Sequence, residues 1–201
     1  VVDQDILNSF VKQATRRHAW LVLDEAFMDF APAENRNWSP PLLEDNPRLV
    51  VLRSMTKFYC IAGLRLGYML CSRHTGKQLA PLGEPWSVNT VAQRAGVFCL
   101  KQEEYEAKTR QVVDKWRGEQ AARLSQMGCQ VYPSVVNYLL LRLPQDGPTA
   151  AQVAAFCAAK GVLVRDASNF PVCTHHHLRV AVTSPGEQER LYDVLEQALK
   201  A

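Results

Sequence analysis

The sequence predicts an α/β fold with a mainly parallel sheet, followed by a smaller α+β unit. Three short apolar runs, at residues 19–23, 49–52 and 66–71, have the length of strands. Uninterrupted apolar runs are typical of strands buried on both faces, as in a parallel sheet beneath helices. Hydrophobic residues make up 47% of the 201-residue chain, which is enough to form a substantial core.

Helical periodicity predicts the first helix at residues 5–18. Its apolar side chains fall on one face: Ile6, Phe10, Val11 and Ala14. A polar, proline-rich loop is expected at 31–47, between the first two strands. The stretch 74–87 is expected to be irregular because two prolines and a glycine interrupt it.

Two further helices are expected in the middle of the chain. The first ends near residue 101, and the second is long, charged and spans 103–127. Gly128 then provides a residue that can end a helix with a positive φ.

The last third predicts a separate α+β unit, which we expect to span residues 109–201. Strands are predicted at 137–143, 162–164 and 178–182. Two capping boxes, beginning at Thr149 and Ser184, predict the starts of two helices. The final helix has one apolar stripe, formed by Leu191, Val194, Leu195, Ala198 and Leu199.

Charge and composition exclude several classes of function. The net charge of +3 is too small to indicate a nucleic-acid partner, and no apolar run approaches the roughly 18 residues of a membrane span. The six cysteines contain no C-x-x-C pair, so neither a zinc site nor a dithiol motif is indicated. We expect reduced, buried cysteines in a cytoplasmic protein. The run of three histidines at 175–177 is expected to be a polar loop, with no metal bound.

The most informative segment begins at the end of the second predicted strand. Lys57 follows two hydroxyl residues, Ser54 and Thr56, and Arg65 follows in a glycine-flanked run. A lysine amine can form a Schiff base with an aldehyde, and hydroxyls with a guanidinium suit a phosphate. Taken alone, the segment also fits a surface loop in which Arg65 is a solvated charge.

A carboxylate, Asp24, ends the first predicted strand, and Glu25, Ala26 and Phe27 follow it. A carboxylate in this position can face a protonated ring nitrogen, as in pyridoxal phosphate enzymes. By itself it also fits a helix cap or a structural salt bridge.

Together, the Asp24 and Lys57 segments resemble those of the fold-type I pyridoxal phosphate enzymes, in the class I/II aminotransferase group. The resemblance covers essentially the whole chain. It implies that residues 1–108 are the C-terminal portion of the large cofactor-binding domain, and that 109–201 are the small C-terminal domain.

The resemblance also implies roles for individual residues. Lys57 would carry the cofactor, Asp24 would pair with its ring nitrogen, and Ser54, Thr56 and Arg65 would bind its phosphate. Arg179 matches the arginine that holds the substrate carboxylate. Arg165 matches a second substrate-binding arginine, although it could equally be a surface charge.

Within the group, several motifs resemble those of members that decarboxylate L-threonine O-3-phosphate in cobalamin synthesis. They are the segments at 24–30, 56–59, 63–68, 85–89 and 137–142. Phe27 stands where the group's aminotransferases commonly have a tyrosine. The implied substrate is a small phosphorylated amino acid, and the implied assembly of the full-length chain is a homodimer.

Three alternatives remain open at this stage: an aminotransferase acting on histidinol phosphate, a ligand-sensing regulator, and an inactive remnant. The resemblance also implies a family segment upstream of Val1, with a glycine-rich turn and a ring-stacking group. We therefore expect this chain to be a fragment or a truncated reading frame, binding pyridoxal phosphate weakly or not at all by itself.

Overall fold

The structure is a computed structural model that describes residues 2–36 and 39–200. The chain divides into two compact units, Val1–Thr109 and Arg110–Ala201. The division falls within a long helix, Glu103–Gln126. Each unit has its own sheet and its own apolar core.

The first unit is built on a three-stranded sheet. Its strands are β1 (Leu21–Asp24), β2 (Leu49–Ser54) and β3 (Gly67–Cys71). β1 and β2 are parallel, whereas β3 runs antiparallel to β2. The helices of the unit are α1 (Gln4–Arg16), α2 (Ala33–Arg36), α3 (Met55–Phe58), α4 (Arg73–Leu79) and α5 (Thr90–Cys99).

Helix α1 confirms the first predicted helix, but only part of the predicted apolar face, Val11 and to a lesser extent Ala14, is buried. Leu7 and Val11 are buried and join the core formed with Leu49 and Val51 of β2. Ile6 and Phe10 are more than half exposed. The periodicity was correctly helical, but the residues that meet the sheet are set by the packing of α1, which periodicity alone does not fix.

The other face of the sheet is largely exposed within the described chain. Val22, Leu52 and Met69, from the three strands in turn, are exposed, whereas Val50 of β2, on the same face, is buried. Within residues 2–36 and 39–200, the expectation of strands buried on both faces is therefore wrong for most of this face.

The segment 74–87 is more regular than expected. Helix α4 occupies its beginning, and Ser72 caps this helix by accepting a hydrogen bond from the Thr75 amide at 3.2 Å. Pro81 lies in the 3₁₀ turn Ala80–Leu82, where a proline fits without disrupting a longer helix. The loop expected at 31–47 likewise contains α2 and a 3₁₀ turn, Pro40–Leu42; positions 37 and 38 lie outside the described residues.

The second unit contains an antiparallel sheet with the strand order β4-β5-β7-β6. Its elements are the part of α6 (Glu103–Gln126) that follows Thr109, then β4 (Gln130–Val131), β5 (Tyr138–Arg142), α7 (Ala150–Ala159), β6 (Arg165–Asp166), β7 (His177–Ala181) and α8 (Pro185–Lys200). One face of the sheet provides core leucines, including Leu139 and Leu141. Four of the five residues in the predicted α8 stripe are buried, and Leu199 is partly buried.

Local signals located most of these elements. Thr149 and Gln152 form the predicted capping box, and Gly128 has a φ of 85° directly beyond α6. The strand expected at 162–164 is wrong, because the Val162 amide instead donates to the Cys157 carbonyl at the end of α7. Strand β6 begins one residue after that segment, and the two-residue β4 was not predicted.

All six cysteines are free thiols, but they are not uniformly buried. Cys99, Cys129 and Cys157 are buried, whereas Cys60 is exposed. The remaining two, Cys71 and Cys173, are partly buried. Across the described residues, every helix is too short or too polar to cross a membrane.

Candidate functional site

The carboxyl ends of β1 and β2 bring the two predicted segments together at one edge of the sheet. Asp24 is the last residue of β1 and pairs in register with Leu52 of β2. Ser54, two residues further along β2, lies on the same face because strand side chains alternate. Such an edge is where α/β sheets usually place their binding sites.

Lys57 lies in α3, directly after β2, and its amine has two neighbours. The Nζ atom donates to Ser54 Oγ at 3.2 Å and lies 5.1 Å from the ring centroid of Phe27. Within the described chain, no carboxylate forms an ion pair with this amine. The structure therefore holds Lys57 between a hydroxyl and an aromatic face, close to the turn that follows Asp24.

Ser54 connects the residues around Lys57. Its Oγ lies 2.7 Å from Thr56 Oγ1 and accepts a 3.4 Å hydrogen bond from the Thr56 amide, capping α3. Thr56 is buried and Ser54 is half-buried. The structure thus brings together three of the predicted cofactor-binding residues: Ser54, Thr56 and Lys57.

Asp24 presents an exposed carboxylate at the same edge. Its Oδ1 accepts a 3.0 Å hydrogen bond from the Ala26 amide, which fixes the direction of the side chain. The second oxygen, Oδ2, has no hydrogen-bond partner among the described residues. It can accept a hydrogen bond from a ligand.

Arg65 approaches the site through the backbone. The Met55 amide donates to the Leu66 carbonyl at 3.2 Å, and Gly67 pairs in register with Ser54. A Cβ on Gly67 would lie only 2.8 Å from the Arg53 carbonyl oxygen, so this close approach requires glycine. Arg65 itself has a φ of 56° and makes no hydrogen bond with Ser54 or Thr56 in the structure.

A buried ion-pair network lies behind this edge, and sequence reasoning missed it. Arg53 contacts Glu25 at 2.7 Å and Asp29 at 3.2 Å. Its guanidinium also donates to the Arg36 carbonyl oxygen at 2.9 Å. The available signal was an arginine within the otherwise apolar β2, since a charged residue there requires a partner.

The other two predicted site residues lie in the second unit. Arg165 of β6 and Arg179 of β7 are directly opposed in register. The guanidinium of Arg179 lies 5.0 Å from the ring centroid of Tyr138. Neither arginine forms an ion pair with a carboxylate in the part of the chain that the structure describes, so both charges are available to an anion.

The histidine run is not the polar loop that was expected. His176 and His177 are buried, and His177 begins β7. The Thr174 amide donates to His177 Nδ1 at 2.8 Å, so the proton of a neutral ring lies on Nε2. That atom is 3.0 Å from the Tyr132 hydroxyl oxygen, to which it donates. These contacts satisfy both ring nitrogens of His177.

The residues of the first unit fit a cofactor with an aldehyde, a ring nitrogen and a phosphate. Lys57 supplies a primary amine, and Asp24 supplies a carboxylate oxygen without a partner among the described residues. Ser54 and Thr56 supply hydroxyls and Arg65 supplies a guanidinium, and these groups can donate hydrogen bonds to a phosphate. This donor set matches the chemistry of pyridoxal phosphate.

Comparisons with known proteins identify the family that this chain resembles. The sequence pattern of the family described as aminotransferase class I and II matches residues 1–196. The chain is 35% identical to a threonine-phosphate decarboxylase of Salmonella typhimurium, covering 98% of this chain and 53% of that protein. It is 33% identical to a histidinol-phosphate aminotransferase of Oleidesulfovibrio alaskensis, covering 90% and 47%.

A solved structure shows the same fold. The histidinol-phosphate aminotransferase of Clostridium acetobutylicum superimposes with a TM-score of 0.90 at 20% identity, over 100% of this chain and 60% of that chain. The chain spans about half the length of the curated relatives named above. Its fold is therefore part of the fold-type I architecture, and the chain belongs to the class I and II aminotransferase family.

Proposed function

We propose that this chain is the catalytic C-terminal part of a pyridoxal phosphate enzyme that decarboxylates L-threonine O-3-phosphate. The product would be (R)-1-amino-2-propanol O-2-phosphate, an intermediate of cobalamin synthesis. Members of the family depend on pyridoxal phosphate, and its similar members include both decarboxylases and aminotransferases. The observation that carries the proposal is Lys57, whose amine lies beside Ser54 and the Asp24 turn.

The first unit would hold the cofactor. Lys57 would be the attachment point, and the unpartnered Asp24 oxygen would accept a hydrogen bond from the ring nitrogen. Ser54, Thr56 and Arg65 would bind the phosphate. When bound, the cofactor supplies an electron-accepting ring that stabilises negative charge at the substrate Cα. Residues 1–108 would then belong to the large domain.

The chain's own residues would also move and place protons. Asp24, as a carboxylate, would keep a proton on the ring nitrogen that it faces. The Lys57 amine would be the group best placed to donate a proton to the substrate Cα, because the cofactor would be attached to the chain at this residue. The Phe27 ring beside Lys57 has no hydroxyl, so it adds no second proton donor next to the amine.

The second unit, proposed as the small domain at 109–201, would bind the substrate's anionic groups. Arg179 would hold the α-carboxylate, and Arg165 would assist it. By holding the α-carboxylate, Arg179 would select the bond at the substrate Cα that breaks as carbon dioxide leaves, and the bound cofactor would supply the electron-accepting ring that stabilises the remaining negative charge. A homodimeric, cytoplasmic full-length enzyme is part of the same proposal.

A histidinol-phosphate aminotransferase is the second candidate, because the identities to the two kinds of relative, 35% and 33%, are nearly equal. Phe27 favours the decarboxylase, since the group's aminotransferases commonly have a tyrosine hydroxyl at that position.

The test uses the longest chain that the gene encodes, loaded with pyridoxal phosphate. Threonine O-3-phosphate is added and carbon dioxide is measured, and histidinol phosphate with 2-oxoglutarate is assayed in parallel. We expect carbon dioxide from the first mixture, with none from a Lys57→Ala variant. Glutamate from the second mixture without carbon dioxide would establish the aminotransferase instead. No product from either mixture would reject both candidates.

A further inference from the structure

Arg53 is almost fully buried, and its guanidinium contacts three points of the chain segment that follows β1. The side chains of Arg53 and Glu25 are only 7% and 8% exposed, and their charged atoms are 2.7 Å apart. The same guanidinium reaches Asp29 in the 3₁₀ turn Met28–Phe30 and the carbonyl oxygen of Arg36 in α2. One side chain of β2 therefore holds most of the segment between residues 25 and 36.

This segment carries two groups of the proposed site. Asp24 lies immediately before Glu25, and Phe27 lies two residues after it, with its ring 5.1 Å from Lys57 Nζ. The Glu25 amide also donates to the Leu52 carbonyl at 2.9 Å, so backbone and side chain fix the segment at the same point. Movement of Glu25 would displace both Asp24 and Phe27.

Arg53 is equally close to the other half of the site. It precedes Ser54 directly, and Ser54 contacts Lys57 and Thr56. Because side chains alternate along a strand, Arg53 points away from the face that carries Ser54 and Asp24. The guanidinium therefore connects the two halves from behind, without touching a ligand on the front face.

An arginine suits this positioning role better than a lysine of the same charge would. A buried guanidinium is stable only when charged or polar partners satisfy it. Its planar fork donates in fixed directions, whereas a lysine ammonium is a compact charge on a flexible chain. Two hydrogen bonds in fixed directions, to Asp29 and to the Arg36 carbonyl, together with the ion pair to Glu25, restrict the position of the segment more than a single charge contact would.

We propose that Arg53 and Glu25 are positioning residues, which set the placement of Asp24 and Phe27 relative to Lys57. This inference rests on the proposed function, since placement has a consequence only if the site holds pyridoxal phosphate. It predicts that loss of the Arg53 guanidinium contacts changes the protonation of the bound cofactor, in addition to any loss of protein stability.

The test compares wild type with Arg53→Lys and Glu25→Gln in the longest chain that the gene encodes. Three quantities are measured: the melting temperature, the pH midpoint of the visible absorbance of cofactor-loaded protein, and the cofactor Kd. Borohydride reduction and peptide mass spectrometry report the fraction of Lys57 linked to the cofactor. The control is Arg123→Met, which breaks a 3.0 Å pair with Glu196 whose side chains are 46% and 40% exposed.

We expect both variants to shift the pH midpoint and to weaken cofactor binding about tenfold to a hundredfold, the usual cost of losing a residue that orients a binding group. Arg123→Met should leave both quantities unchanged. A lower melting temperature with an unchanged pH midpoint and Kd would overturn the inference, because the pair would then be only structural. If Arg53→Lys does not fold, Glu25→Gln decides in the same way.

The two proposals can fail separately. If wild-type Lys57 captures no cofactor, the proposed function fails and the inference fails with it. If wild type captures cofactor and the variants match it in pH midpoint and Kd, only the inference fails.

Discussion

Arg165 and Arg179 are directly opposed across the antiparallel strands β6 and β7, with no carboxylate paired to either within the described chain. Like charges in directly opposed positions destabilise a sheet. Folding alone therefore does not explain why both positions carry a guanidinium. A substrate with two anionic groups, a carboxylate and a phosphate, would compensate both charges.

This relationship predicts opposite effects on substrate affinity and on stability. Arg179→Gln should weaken binding of threonine O-3-phosphate by about 1.5–3 kcal/mol, the usual contribution of a hydrogen bond to a charged group. The same change should raise the free energy of unfolding by about 0.2–1 kcal/mol, because it removes the repulsion. Substrate titration of the loaded enzyme and urea unfolding measure the two effects.

Arg165→Gln should give the same gain in stability with a smaller loss of affinity, since Arg165 is exposed whereas Arg179 is half-buried. The matched control is Arg123→Gln in the same unit. Arg123 has a carboxylate partner, so its loss should not raise stability or affect substrate binding. Unchanged substrate affinity in Arg179→Gln would contradict the proposed role.

Sequence reasoning succeeded where the signal is local. The Thr149 capping box and Gly128 each depend on a few neighbouring residues, and both were located correctly. It failed where the answer depends on tertiary packing. The buried side of α1 is one such case: Leu7, which the predicted apolar face did not include, is buried in the core that α1 forms with the sheet.

The candidate site shows the same division. Lys57, Ser54 and Asp24 could be proposed because they follow recognisable strand ends. The Arg53–Glu25 pair could not, because its members are far apart in sequence and meet only when β1 and β2 pair. The burial of His177 was missed for a similar reason, since Tyr132 is supplied by a distant segment.

The aromatic cluster beneath α3, formed by Phe58 at the end of that helix and Phe30, should contribute strongly to the stability of the first unit. Phe58 is 2% exposed, and its ring lies 5.0 Å from that of Phe30 in an edge-to-face arrangement. Phe58→Ala should lower the free energy of unfolding by about 3–5 kcal/mol, because it leaves a cavity. Urea unfolding followed by circular dichroism measures the change.

Phe98→Ala is the matched control for that experiment. Phe98 belongs to the same unit but is 65% exposed, so its loss should change the free energy of unfolding by no more than about 0.5 kcal/mol. Equal effects of the two substitutions would show that the cluster beneath α3 is not a core.

The cysteines should differ sharply in reactivity. Burial raises the pKa of the Cys129 thiol to about 11, so at pH 8 it is protonated as well as inaccessible. Cys60 is exposed, and the thiolate is the reactive form of any cysteine. Iodoacetamide at pH 8 should label Cys60 first and Cys129 only after unfolding, as peptide mass spectrometry can show. Early labelling of Cys129 in folded protein would contradict the structure.

The Tyr59 phenol should make stability depend on alkaline pH. Burial raises the pKa of Tyr59, and Glu106, which accepts its hydrogen bond at 2.5 Å, raises that pKa further. A tyrosine in the unfolded chain loses its proton at about pH 10, whereas the folded Tyr59 phenol retains its proton at that pH. The unfolded state therefore binds fewer protons above that pH, and the free energy of unfolding falls as pH rises.

Tyr59→Phe should make this decline less steep, as measured by urea unfolding from pH 9 to 12. Glu106→Gln should have a smaller effect, because burial is the larger cause of the raised pKa and remains in this variant. Burial also raises the pKa of Tyr68, Tyr105 and Tyr192, but these phenols are present in all three proteins and cancel in the comparison. A Tyr59→Phe protein whose stability declines as steeply as wild type would show that the folded phenol does not retain its proton.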